Sequence, residues 1–358
     1  MFKTFQMELA GRPLIIETGK MAKQANGAVL VRYGDTVVLV ATTASKEPRE
    51  GTDFFPLTVD YEEKMYAVGK MPGGFLRREG RPGNSAILNA RLIDRPIRPL
   101  FDKRCRNDVH VVATVLSVDY DNAPELCGML GASASIGISD IPWDGPIAGV
   151  RIGRVDGKYV VNPTQEQLAE SSMNITVAGS EEAIMMVEGG ANEAPEEEVL
   201  DAIMFGHETI KELCRFQKKI IEEVGKPKRT MVFPEVPEEI DEAVAAYATE
   251  DLKKAIFDAD KLRRDGNIDA VKKAAKEHFA DIYPENGADV AESLDHLTKQ
   301  IVRDSISNEG IRPDGRKLTE IRPITCEVGL LPRVHGSALF TRGQTQALSI
   351  TTLAPMSE

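Results

Sequence analysis

The sequence predicts a mixed α/β (α+β) fold that gives way to a small all-helical segment and then returns to β structure. Three observations carry this prediction. Gly27-Ala-Val-Leu-Val-Arg32, a Tyr33-Gly34-Asp35 turn and Thr36-Val-Val-Leu-Val-Ala-Thr42 read as a β-hairpin. Glu196 to Val224 keeps a helical apolar period over a long run. From Glu238 to Asn308 there is no strand pattern at all.

Taken in order, the hairpin is followed by a segment from Ser85 to Arg95 with helical spacing. Asn84 or Ser85 is its expected N-cap and Pro96 its expected stop. Val109 to Val118 is a β-branched run, and Ile175 to Gly179 a shorter one. Between them, Gly131-Ala-Ser-Ala-Ser135 reads as a helix packed closely on a sheet. In the long helix, Leu200, Ile203, Ile210, Leu213 and Phe216 lie near one face, Glu196-Glu-Glu198 forms an acidic first turn, and Gly225-Lys226-Pro227 ends it. The character changes after Pro234-Glu-Val-Pro237. Ile240, Val244 and Tyr247 are spaced for a helix, as are Val290, Leu294, Leu297 and Ile301, with Pro284-Glu-Asn-Gly287 breaking the run. Gly310 to Arg316 reads as a loop, and β patterning resumes at Ile321.

Charge is segregated along the chain. The formal net charge is −12. Yet Lys70 to Arg106 holds ten bases against three acids, a local +7, while Glu235 to Gly310 holds nineteen acids against ten bases. The basic window contains Gly73-Gly-Phe-Leu-Arg-Arg-Glu-Gly-Arg-Pro82, a flexible stretch with one ring and three arginines. Guanidinium groups bind phosphate bidentately, and cationic grooves with interleaved rings suit single-stranded nucleic acid. Phe75, Arg77, Arg78 and Arg81 are therefore candidate RNA or phosphate ligands; a solvated loop paired to acidic neighbours is the competing reading. Arg91, Arg95 and Arg98 recur at i, i+4 and i+7, either as a phosphate ladder behind the loop or as salt bridges to Asp94 and Asp102.

Other chemistries find little support. The four cysteines are far apart with no CxxC pair, which argues against a disulfide framework or zinc site and suits a cytoplasmic protein. Neither a GxGxxG nor a P-loop string occurs, the five histidines lack ligand spacing, and no apolar run is long enough to span a membrane.

The β patterning also repeats. Glu17-Thr-Gly19 matches Glu327-Val-Gly329, and Ala28-Val-Leu-Val-Arg32 falls over Ala338-Leu-Phe-Thr-Arg342. After deleting Tyr33, Gly34-Asp-Thr36 falls over Gly343-Gln-Thr345, Leu39 over Leu348, and Thr42-Thr43 over Thr351-Thr352. The same hairpin is written twice, and a lone hairpin is marginally stable. The second copy is expected to be the truncated start of a second domain like the first.

Arg312-Pro-Asp-Gly-Arg316, Glu320-Ile-Arg-Pro-Ile324, Phe54-Phe-Pro-Leu-Thr58, Arg77-Arg-Glu-Gly-Arg-Pro82, Arg91-Leu-Ile-Asp-Arg-Pro-Ile-Arg-Pro-Leu100 and His335-Gly-Ser-Ala-Leu-Phe-Thr-Arg-Gly-Gln-Thr345 resemble the bacterial polynucleotide phosphorylase family. The resemblance covers the whole chain. It implies a ribonuclease PH-like domain at 1–233, an all-helical domain at 234–309, and a truncated second ribonuclease PH-like domain at 310–358. It also implies a homotrimeric ring, KH and S1 modules further on, partners from RNA-degradation complexes, and no membrane. The implied reaction is reversible 3′-to-5′ phosphorolysis of single-stranded RNA, with Mg2+ and inorganic phosphate. A non-catalytic RNA-binding ring subunit of an exosome-like assembly stays open as an alternative.

By the same resemblance, the arginine loop lines the ring entrance and grips RNA, although Leu76 stands where the family commonly has a second phenylalanine. The family's catalytic copy carries an Asp-x-Asp-x-Lys-Val-Ala-Gly string. Ser172-Met-Asn174-Ile-Thr176-Val-Ala-Gly179 matches it with asparagine for a metal-binding aspartate and threonine for the lysine. A hard cation prefers carboxylate oxygens. The first copy is thus expected to be catalytically inactive, with no metal ligands of its own and the catalytic string beyond Glu358.

Overall fold

The computed structural model describes all residues except Met1, Glu50, Asp53, Val232, Pro234 and Met356–Glu358. Pro234, where the composition changes, and Glu358, the last residue, therefore lie outside the described residues. Two compact units divide the chain, Met1–Pro234 and Glu235–Glu358.

In the first unit, β1 (Lys3–Leu9), β2 (Arg12–Thr18), β3 (Gly27–Tyr33) and β4 (Thr36–Ala44) form an antiparallel meander. β5 (Leu57–Glu63) leads through an irregular loop to α1 (Asn84–Ile97) and back to β6 (Val109–Ser117), which pairs parallel to β5 and antiparallel to β4. The resulting six-stranded order is β1-β2-β3-β4-β6-β5. After α2 (Pro124–Ile138) come β7 (Ala148–Val155), β8 (Lys158–Val161), α3 (Gln165–Glu170), β9 (Met173–Gly179), β10 (Ile184–Ala191) and α4 (Glu196–Val224). The second sheet runs β10-β9-β7-β8.

The two sheets share one apolar core because α2 packs against both. This helix is apolar on nearly every side, the pattern of a helix enclosed on all faces. Small residues set its distance from the first sheet. A Cβ on Gly131 would stand 2.5 Å from Val40 Cγ2 and 3.1 Å from Val31 Cγ2. One turn on, the Ser135 hydroxyl meets that of Thr42 at 2.6 Å and donates to the Ala132 carbonyl. The expected close packing at 131–135 is what forms.

Two sequence expectations change. Helix α1 begins at Asn84 with Gly83 as its cap residue, and it runs through Pro96 to Ile97. Pro96 donates no N–H bond and its ring crowds the Leu92 carbonyl, yet the helix continues to Ile97, and Pro99, in the 3₁₀ turn Arg98–Leu100, marks the end. On α4, Leu200 is exposed. The buried stripe passes instead through Ala202, Gly206, Ile210, Leu213, Gln217 and Ile220, since the helix settles where its small residues let β7 approach.

The second unit holds α5 (Glu238–Ile256), α6 (Lys261–Phe279) and α7 (Gly287–Asp304), which enclose Val244, Leu252, Phe279 and Leu294. A π-turn at Ser305–Glu309 leads to β11 (Ile324–Val328), β12 (Gly336–Arg342) and β13 (Thr345–Thr351), in that order in their sheet. Pairing within this sheet matches that of β2, β3 and β4, and it corrects the repeat alignment. Leu14 pairs with Tyr33, and its counterpart Ile324 pairs with Arg342. Leu30 opposite Leu39 becomes Leu339 opposite Leu348. The Gly34 N–H donates to the Pro13 carbonyl as Gly343 donates to Pro323, and both glycines have positive φ, +56° and +63°. Tyr33 therefore corresponds to Arg342, and the one-residue deletion lies in the loop before β12, where ladder pairing does not constrain length.

Gly131→Ala should lower stability by about 1–3 kcal/mol, because a β-branched valine on a packed strand cannot turn aside for the new methyl. Urea unfolding would show this as a lower midpoint at unchanged slope; an unchanged midpoint would mean that α2 can withdraw from the sheet.

Candidate nucleic-acid interface

The segment between β5 and α1 carries the candidate ligands. Met65–Val68 forms a 3₁₀ turn, and residues 70–83 then run irregularly over the surface. Phe75 is 100% exposed and Leu76 76%. Arg77 takes a left-handed turn conformation at φ +52°, and its backbone N–H donates to Gly74 O at 2.9 Å. Arg77, Arg78 and Arg81 are all exposed, and among the described residues none of their guanidinium groups meets a carboxylate. Arg78 and Arg81 also line a cleft of about 590 Å3 against the end of β5.

The loop's one acid is engaged elsewhere. Glu79 Oε1 accepts the Met65 N–H at 2.7 Å, and its other oxygen lies 3.3 Å from Lys64 Nζ. The competing reading, in which the loop arginines neutralise nearby acids, thus lacks its partners. Lys64 also pairs with Glu62. This anchor escaped the sequence reading because its members are fourteen residues apart, across a turn. Tyr66, exposed at the loop's start, is a second ring the sequence reading passed over.

The helix arginines behave differently. Arg91, Arg95 and Arg98 share one continuous stretch of helix, and Arg91 is exposed with no ionic partner among the described residues. Arg95 Nη1 donates to Glu188 on β10 at 2.8 Å. Arg98 grips Asp94 through Nε and Nη2 at 2.9 and 2.7 Å and gives Nη2 to the Leu57 carbonyl at 3.0 Å. Asp102 pairs with Arg104. Arg98 thus ties α1 to the start of β5, leaving Arg91 as the free member nearest the loop.

Comparison with known proteins bears on what this surface serves. The profile described as "3' exoribonuclease family, domain 1" matches residues 10–142, and that of domain 2 matches 145–209. "Polyribonucleotide nucleotidyltransferase, RNA binding domain" matches 239–317. Over 99% of its length the chain is 57% identical to a polyribonucleotide nucleotidyltransferase of Heliobacterium modesticaldum and 58% identical to one of Syntrophomonas wolfei. It belongs to the polyribonucleotide nucleotidyltransferase family. Against one from Brevibacillus brevis the identity is 54% over the full chain. The chain spans about half the length of the curated relatives it matches.

The residues of β9 matched above to a metal-binding string offer poor donors to a hard cation. Asn174 is exposed and lies opposite Gly190, while Thr176 is buried opposite Glu188. Glu188 is the nearest cross-strand carboxylate and is held by Arg95. A neutral amide, a hydroxyl and one committed carboxylate do not make the oxygen cage that Mg2+ takes. Among the described residues no three His, Cys, Asp or Glu side chains gather as a metal site.

The Met65 N–H, and after it Lys64, hold the Glu79 carboxyl below its ordinary pKa. The anchor is therefore complete above the usual glutamate range and is lost as pH falls through the folded value. Glu79→Ala should speed trypsin cleavage after Arg77 and Arg78 several-fold at neutral pH and remove exchange protection at the Met65 amide. Unaltered cleavage would show that the loop is held by something other than Glu79.

Proposed function

We propose that this chain is the RNA-gripping part of a longer phosphorolytic exoribonuclease of the bacterial cytoplasm. The longer protein shortens single-stranded RNA processively from the 3′ end: inorganic phosphate attacks the terminal phosphodiester, the bond to the 3′ oxygen breaks, and a nucleoside diphosphate leaves. Mg2+ and phosphate are its cofactor and co-substrate, held by residues outside this chain. Its assembly is a homotrimer, which the mass of the longer protein in light scattering checks. Family membership and the relatives' names support the reaction class.

The observation that carries the RNA-gripping role is the loop itself. Among the described residues, three exposed arginines meet no carboxylate beside an exposed ring, while the loop's acid is held by Lys64 and Met65. Such groups hold phosphates and stack bases without reading sequence. Replacing Arg77, Arg78 and Arg81 with alanine should weaken binding of poly(A), poly(U) and mixed single strands alike. It should also make the log–log salt slope shallower by roughly 0.7 per lost phosphate contact. Wild-type affinity and slope together with lowered thermal stability would assign the arginines to folding instead.

The donor set at Asn174 and Thr176 leads to a second expectation. The 358-residue chain alone, given poly(A), Mg2+ and phosphate, should release no nucleoside diphosphate. Release by a contaminant-free preparation would place a working centre in the first repeat.

A further inference from the structure

Two Asn-Gly steps occur in the chain, Asn26-Gly27 and Asn286-Gly287. Such a step has a chemistry of its own. With no side chain on the second residue, its backbone nitrogen can swing onto the asparagine Cγ and attack it. The N–Cγ bond forms and the Cγ–Nδ2 bond breaks. The proton of the attacking nitrogen joins the departing NH2 as ammonia, and a five-membered succinimide ring remains. Water then opens the ring at either carbonyl. One product is aspartate; the other is isoaspartate, in which the main chain runs through the side-chain carbon. A folded protein permits the first step only where the amide side chain and the next N–H are loosely held.

Asn26 is held at every point. Its Oδ1 accepts the Ala44 N–H at 3.0 Å, its Nδ2 donates to Asp140 Oδ1 at 2.8 Å, and its carbonyl accepts Lys226 Nζ at 2.5 Å. Gly27 stands opposite Thr42 in the β3–β4 ladder, and a Cβ on it would lie 2.0 Å from Ser135 O, so α2 walls it in.

Asn286 differs on each count. It is the cap residue of α7, yet its side chain caps no backbone N–H. Nδ2 donates to Asp289 Oδ2 at 2.7 Å, while Oδ1 accepts no hydrogen bond among the described residues. Gly287 is exposed, with nothing within 4 Å of the place a Cβ would take. As the first helical residue, its N–H has no acceptor within the helix. One backbone bond closes this first turn, from the Val290 N–H to Asn286 O at 3.0 Å. Helix ends fray, and opening that bond frees the Gly287 nitrogen to reach Cγ.

We propose that Asn286 is a modification site, at which the folded protein deamidates to aspartate and isoaspartate while Asn26 stays intact. Asp289 gives the conversion its effect. Where the amide donated to it, a carboxylate comes to face a carboxylate, within a block that already holds nineteen acids against ten bases. Isoaspartate also adds a backbone carbon just ahead of Val290 and Leu294, both buried in the core of the three helices. The first turn of α7 therefore loosens as the protein ages.

The test holds the 358-residue chain in warm, mildly alkaline buffer and follows tryptic peptides 24–32 and 277–299 by mass spectrometry. Isoaspartate is counted by enzymatic methylation of its free carboxyl group. Peptide 277–299 should convert about tenfold or more faster than 24–32, and Gly287→Ala, whose methyl meets open space, should slow it by a similar factor. Exchange at the Val290 amide should quicken in Asn286→Asp and in the aged protein alike. Equal rates at the two steps, conversion of 277–299 only after unfolding in urea, or conversion that Gly287→Ala leaves unchanged would each overturn the proposal.

Discussion

The approach of α2 to the sheets around it is the constraint on which the first unit depends. Three glycines on this helix each admit a different neighbour. A Cβ on Gly128 would press on Ile93 of α1, one on Gly131 on Val40 of β4, and one on Gly137 on Ile221 of α4. Because α1 is seated on Gly128, the direction in which the preceding loop emerges is fixed by a packing distance in the core. Interiors this dense pass small displacements on rather than absorbing them. The arginine loop is rich in glycine, but its surroundings are held: Glu79 ties it to the end of β5, and Arg98 ties the far end of α1 to the strand's start.

This arrangement separates two uses of arginine within one basic window. Arg95 and Arg98 have carboxylate partners and act as braces, whereas Arg77, Arg78 and Arg81 are exposed and meet no carboxylate among the described residues. Exposed ion pairs contribute little to stability, typically under about 1 kcal/mol. The braces therefore matter more for where they hold α1 than for how strongly. Free guanidinium groups, for their part, can exchange water for phosphate without first breaking an internal salt bridge.

Much of this was legible in the sequence, and the failures have physical causes. The β3–β4 hairpin and α4 were readable because a single face is buried along each, so the apolar period survives. Helix α6 was harder to recognise: of nineteen residues only Ala275 and Phe279 are buried, leaving almost no stripe to read. β1 alternates Phe5, Met7 and Leu9 with polar residues, but it is short and edge-placed and was passed over. The charge cluster was visible, while its division into braces and free groups was not. Arg95 finds Glu188 ninety-three residues away, and long side chains choose partners that only the fold brings near. The duplication was legible, but its gap was misplaced, since matching letters at Arg32 and Arg342 outweighed a pairing register that only the ladder reveals.

That register changes the meaning of the duplication. With Tyr33 set against Arg342, the two copies share backbone geometry down to the same glycine bond at the turn, yet they differ in what stands beside the preceding arginine. In the first copy a ring and protein carbonyls surround Arg12, so its charge serves cohesion. In the second, Arg322 lies near Arg342 and Arg316, and among the described residues the carboxylate it meets is that of Asp314, at 3.9 Å. Burial works against the Asp314 charge, but the Arg316 side chain and N–H outweigh it and hold this carboxyl below its ordinary pKa. Strand pairing and turn geometry fix the scaffold in both copies, while the residue at a single ladder position, Tyr33 or Arg342, decides whether the adjoining arginine has an aromatic face beside it.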